Sequence, residues 1–248
     1  MKLPLRLREE PIVDAVFEVR FSARMPMATI LPGVLFSALG ASAVERLAGA
    51  DIPEAVRASD PAWRMMATHR VVCDNFSILV GDESVAVGCR LPYPGWGAFK
   101  PAIQKVFGIV EGVNQIERVN RYSLKYVDLL PSKDSADAMS KLQLGVTLGK
   151  QEIRTEQFQI RVELLRKQFV QVVSVIGQAE VLAAGTSTPT RGAILDIDSI
   201  CNVTPAMPYG DFFAKLDVFA DEIHDANKEL FFECLKPATI EQLGPEYE

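Results

Sequence analysis

Asp196 and Asp198 are the side chains best spaced for chemistry in this 248-residue chain. In an extended segment, positions i and i+2 project from one face, so the two carboxylates would stand together. Such a pair could hold a divalent cation or exchange protons with a substrate. The same pattern also fits two acids that solvate the outer face of a half-buried strand, and the sequence shows no third ligand. Arg20, Arg121 and Lys125 fall on the polar faces of two further alternating segments. They would either gather around an anionic ligand or pair with Asp14, Glu18 or Asp128. His224 lies mid-helix with Lys228 one turn on and needs a partner for any acid–base role. His69 opens a strand and points to no chemistry. Trp96, with Tyr93 and Phe99, makes either a stacking platform for a base or peptide, or an anchor that ties a loop to the core.

Other reaction centres are missing from the pattern. Gly145–Gln151 has too few residues between its glycines for a phosphate loop and lacks the hydroxyl residue after Lys150. No dinucleotide fingerprint or nucleophile elbow occurs. With two histidines so placed, no Ser-His-Asp or Cys-His relay is expected. The four cysteines form no close pair, and no metal site or cofactor is expected. A turn at Val80–Glu83 would set Cys73 opposite Cys89 and allow a disulfide, whereas scattered cysteines in a large chain suit reduced thiols of the cytoplasm.

These residues need elements to position them, and the alternation supplies those. Val13, Ala15, Phe17, Val19 and Phe21 alternate with polar neighbours as a strand with one core face. A helix is expected over 31–47 and a loop over 49–61. Residues 69–80 and 84–90 read as a hairpin about Gly81-Asp82. Phe99, Ile103, Val106, Phe107 and Val110 form a helical stripe, with Pro101 near the first turn. Tyr122, Leu124 and Tyr126 alternate in the next strand. Residues 131–137 read as a polar link. Strands are expected near 142–148, 156–165, 169–177 and 193–200, a loop at 185–190, and a long helix over 211–235. The order is β-α-β-β-α-β, a link, then β-β-β-β-α. That is an α+β fold of antiparallel sheets with helices on one face, either one layered domain or two halves, 1–131 and 138–248.

Composition narrows the function classes. Hydrophobic residues make up 48% and charged residues 23%, a globular balance. The net charge of -6 disfavours broad nucleic-acid binding, which needs a basic surface. The N-terminal residues lack the apolar core of a signal peptide, and no run of apolar residues is long enough to span a bilayer, so a cytoplasmic protein is expected.

Three segments carry a resemblance: Pro11–Phe21 (PIVDAVFEVRF), Tyr93–Phe99 (YPGWGAF) and Arg121–Val127 (RYSLKYV). In this order they resemble a sporadically distributed bacterial family of uncharacterised proteins of similar size, whose strands read P-I-V-[DE]-A-V-x-E-[VI]-R-F and R-x-x-L-[KR]-Y-[VI] about a Y-x-G-W-x-x-F segment. The resemblance implies a shared bacterial scaffold, with a patchy distribution that suits mobile-element or defence neighbourhoods, and it carries over no catalytic residues. Four strands and a helix in the second half are also similar to the SecB-like chaperone arrangement. The leading expectation is a non-enzymatic binding or accessory protein that engages a protein partner and could self-associate. The alternatives are an enzyme acting on a small ligand or nucleotide through Asp196, Asp198 and an arginine, and a chaperone.

Overall fold

The computed structural model describes residues 3–182 and 188–247, so residues 185–187 of the expected loop lie outside the described residues. The strands are β1 (Arg6–Leu7), β2 (Ile12–Ala23), β3 (Ala43–Arg46), β4 (His69–Val72), β5 (Phe76–Val80), β6 (Ser84–Cys89), β7 (Ile116–Pro131), β8 (Thr147–Leu148), β9 (Gln151–Glu152), β10 (Gln159–Arg166), β11 (Phe169–Val181), β12 (Thr190–Pro208) and β13 (Pro245–Glu246). The helices are α1 (Leu31–Leu39), α2 (Glu54–Arg57), α3 (Pro61–Arg64), α4 (Trp96–Val113), α5 (Ser135–Lys141), α6 (Tyr209–Cys234) and α7 (Pro237–Gln242). Among the described residues the main sheet has nine strands in the order β10-β11-β12-β7-β2-β6-β5-β4-β3. It is antiparallel and carries packed helices, an α+β fold. The chain forms two compact units. One comprises Met1–Ala15, Lys125–Ser199 and Ile223–Glu248; the other comprises Val16–Leu124 and Ile200–Glu222.

In the second of these units the alternation of β2 works as read: Phe17, Val19 and Phe21 are buried, with Glu18 and Arg20 half-buried between them. Phe17 faces Val87 and Val19 faces Val85 across the β2–β6 ladder. The helix expected to reach residue 47 stops at Leu39, because Gly40 takes a left-handed φ of 62° and closes it. Residues 43–46 then form β3 against β4. Within 49–61, the expected loop holds α2 and the start of α3.

The expected strand 69–80 is two strands, since Cys73-Asp74-Asn75 make a turn between β4 and β5. In the β5–β6 hairpin Val80 faces Val85, which puts Phe76 opposite Cys89 and leaves Cys73 outside that pairing. All four cysteines are free thiols.

The stripe on α4 is buried in full. Phe107 meets Phe17 edge-on at 5.8 Å and Phe99 stacks on Phe76 at 6.2 Å. Pro101 sits inside α4 rather than in its first turn, which removes the donor that would have reached the Gly97 carbonyl.

In the other unit the polar run 131–137 joins the end of β7 to α5. Asp134 caps α5 by accepting the Asp137 amide at 2.8 Å, so its polarity is that of a helix start. The expected strand 142–148 is reduced to a bridge between Leu142 and Leu235 and the two residues of β8. The core gathers Val173 and Val175 of β11, Leu195 and Ile197 of β12, and Leu230 and Phe231 of α6. α7 and the β1–β13 pairing, Arg6 opposite Glu246, were not expected.

Candidate functional site

Strand alternation puts Lys125 and Asp196 on a face of the sheet, where Lys125 Nζ lies 2.8 Å from Asp196 Oδ2. Both side chains are partly open to solvent, so the pair is a half-solvated ion pair that gives Asp196 a fixed cation. Asp198 follows at i+2 and is half-buried. Arg20 donates from Nε to Glu18 Oε1 at 2.5 Å, a same-face pair along β2. Arg121 is half-buried on β7. No cluster of three or more His, Cys, Asp or Glu that could hold a metal occurs among the described residues.

Trp96 opens α4, and its indole Nε1 donates to Asp221 Oδ1 of α6 at 3.1 Å. Lys100, one turn on, reaches Asp217 and Asp221, both at 2.7 Å. Tyr93 and Trp96 each meet Phe99 edge-on, at 6.3 and 6.0 Å. The three rings thus brace one another where the loop enters α4, the anchoring arrangement. Their shared neighbour Phe99 is buried, its face taken by Phe76, and leaves none open to a ligand.

His224 has the partner its reading required. Its Nδ1 lies 3.2 Å from the Tyr126 hydroxyl, with the two rings 6.0 Å apart. Two residues along β7, Asp128 is buried, and burial together with the nearby negative charge of Glu10 pushes its carboxyl well above the usual range. Lys228, one turn beyond His224, reaches the Leu5 carbonyl at 3.3 Å, and burial pulls its ammonium below the ordinary value. A carboxyl shifted towards its protonated form, a histidine–tyrosine hydrogen bond and a weakened ammonium are groups able to hold and pass protons. Sequence reasoning named His224 here. In the sequence Tyr126 stands out only as sharing a strand face with Tyr122 and Leu124, and Asp128 only as an ion-pair partner. Their i, i+2 spacing in an alternating strand was the available signal.

A different feature marks the edge of the sheet. Among the described residues, β10 pairs with β11 alone. The two strands are joined by Lys167-Gln168, with Lys167 at a φ of 53°, and Arg166 faces Phe169 across this tight turn. A two-residue hairpin closes on a pair that exchanges both backbone hydrogen bonds. The Gly177 amide donates to the Phe158 carbonyl at 3.0 Å, which fixes the same parity at the far end. Ile160, Val162, Leu164 and Arg166 therefore bond inward to β11. Gln159, Arg161, Glu163 and Leu165 turn their N–H and C=O groups outward. Val162 is 42% exposed and Leu165 79% exposed, a large apolar content for a sheet edge.

Comparison of the chain with protein-family models and with curated proteins found no match. No helix among the described residues is long and apolar enough to cross a membrane.

Proposed function

We propose that this chain is a non-enzymatic protein-binding module whose β10 edge receives an extended segment of a partner. The supporting observation is the outward row of backbone groups at Gln159, Arg161, Glu163 and Leu165, beside the exposed side chains of Val162 and Leu165. Strand addition uses such a row for affinity and alternate side chains for selection. Unfolded client segments would use the same row in a chaperone role. The bacterial scaffold suggested by the three resembling segments belongs to this proposal as its setting.

The test exploits the parity of the strand. Proline at Glu163 removes an outward N–H and leaves the inward ladder intact, a place where edge strands tolerate it. Extended peptides selected from a random display library on the native chain should bind Glu163→Pro at least ~10-fold more weakly, and Glu163→Ala about as well as the native chain. Equal binding by Glu163→Pro, with its circular dichroism unchanged, would sink the proposal. So would a selection that yields no binder.

A further inference from the structure

We infer that the unit formed by Val16–Leu124 and Ile200–Glu222 holds a second site, a small pocket for an oxyanion such as a phosphate or carboxylate group. The pocket has a volume of about 190 Å³ and is lined by the polar side chains Thr29, Arg46, Arg57, Thr68 and His69, with Ala28 and Ala50 leaving room between them. Arg57 and Thr68 are buried and form its floor, while Thr29 and Arg46 are exposed at its mouth.

The floor is held rigidly. Arg57 donates from Nε and Nη2 to the two oxygens of Asp82, at 2.7 and 3.2 Å, and from Nη1 to the Ile52 carbonyl at 2.5 Å. A guanidinium has five N–H groups, so two remain to meet a ligand. At the mouth, Arg46 uses Nη2 on the Ala50 carbonyl and on Asp51, at 2.8 and 3.1 Å. Its Nε and Nη1 donate to no protein group recorded among the described residues.

His69 is set by a relay. The Thr68 hydroxyl lies 3.2 Å from the Val80 carbonyl and 2.9 Å from His69 Nδ1, a contact that fixes the orientation of the ring. Burial, Arg46 and Arg57 all weaken proton binding on this ring, and Asp82 opposes them least strongly. The local field is thus cationic despite the acid on the floor.

A buried Arg–Asp pair gives a fold little that apolar residues would not. A one-turn helix that carries a fixed guanidinium to the floor of a pocket has a clear use in gripping an anion, because planar N–H pairs match phosphate and carboxylate oxygens. Thr29 at the rim adds a hydroxyl donor.

The probes are inorganic phosphate and acetate, each titrated calorimetrically into the full chain at constant ionic strength set with chloride. At least one should bind saturably, and Arg46→Gln should weaken that binding about tenfold or more. Arg46 is exposed, so this variant spares the fold. The chain has two histidines, and His224→Gln assigns their ring nitrogens by NMR. The bound anion should shift the His69 resonances and leave those of His224 in place. Tighter phosphate would assign a phosphoryl ligand, and tighter acetate a carboxylate. No saturable binding of either probe would overturn the inference, as would undiminished binding by Arg46→Gln or a response confined to His224.

Discussion

Arg57 and Asp82 form a bidentate pair with side chains only 10% and 5% exposed, joining the one-turn helix α2 to the turn between β5 and β6. Removing one partner leaves the other charge buried without compensation. Arg57→Met or Asp82→Leu alone should cost about 3–5 kcal/mol, and the double replacement should recover much of that loss. Urea unfolding of the three variants checks this. Equal losses in the single and double variants would mean that shape, rather than charge, holds α2 in place.

Asp128 sets a pH dependence. Its folded value stands well above that of the unfolded chain because burial penalises the carboxylate. The sign follows: the contribution is fully present below the unfolded carboxylate value near 4 and is lost as pH rises through the folded value. Asp128→Asn should therefore raise the urea midpoint at neutral pH and have little effect in acid. A midpoint that falls at neutral pH would show that the carboxylate form is the one the fold favours.

Lys125 and Asp196 are in contact yet partly solvated. A double-mutant cycle with Lys125→Met and Asp196→Asn should give a coupling of at most ~1 kcal/mol, shrinking as salt is added. A larger, salt-insensitive coupling would mark the pair as structurally central.

Two glycines make opposite predictions. A methyl group at Gly192 in β12 would collide with the Leu130 carbonyl, whereas one at Gly112 in α4 would meet nothing within 4 Å. Gly192→Ala should destabilise by about 1–3 kcal/mol or more, and Gly112→Ala should stabilise by roughly 0.5–1 kcal/mol. Thermal melts of both variants decide it.

Elements with a strong period could be read from the sequence. The alternation of Phe17, Val19 and Phe21, the α4 stripe and the long α6 all stand where side-chain spacing put them. What escaped depended on single residues or distant partners. Gly40 looked like a weak helical residue, yet its left-handed backbone ends α1. Asp134 looked like linker polarity, yet it caps α5. The reversal at Cys73-Asp74-Asn75 starts β5 only at Phe76, so Cys89 meets Phe76 and Cys73 stays out of the pairing that would have joined it to Cys89. The site residues follow the same rule. Lys125, Asp196 and His224 were visible by type and spacing, and the structure adds their partners. Arg57 sits in a stretch without periodicity, and only its fold-dependent meeting with Asp82 reveals its burial.

The outer strand has a palindromic quality. Arg161 and Glu163 flank Val162 and pair with each other at 2.8 Å, so two copies of β10 laid antiparallel about that valine would set each guanidinium against a second carboxylate, with outward amides facing outward carbonyls. If copies pair in this way, a foreign segment taken up as proposed would compete with them, and occupancy of this rim would depend on how concentrated the protein is.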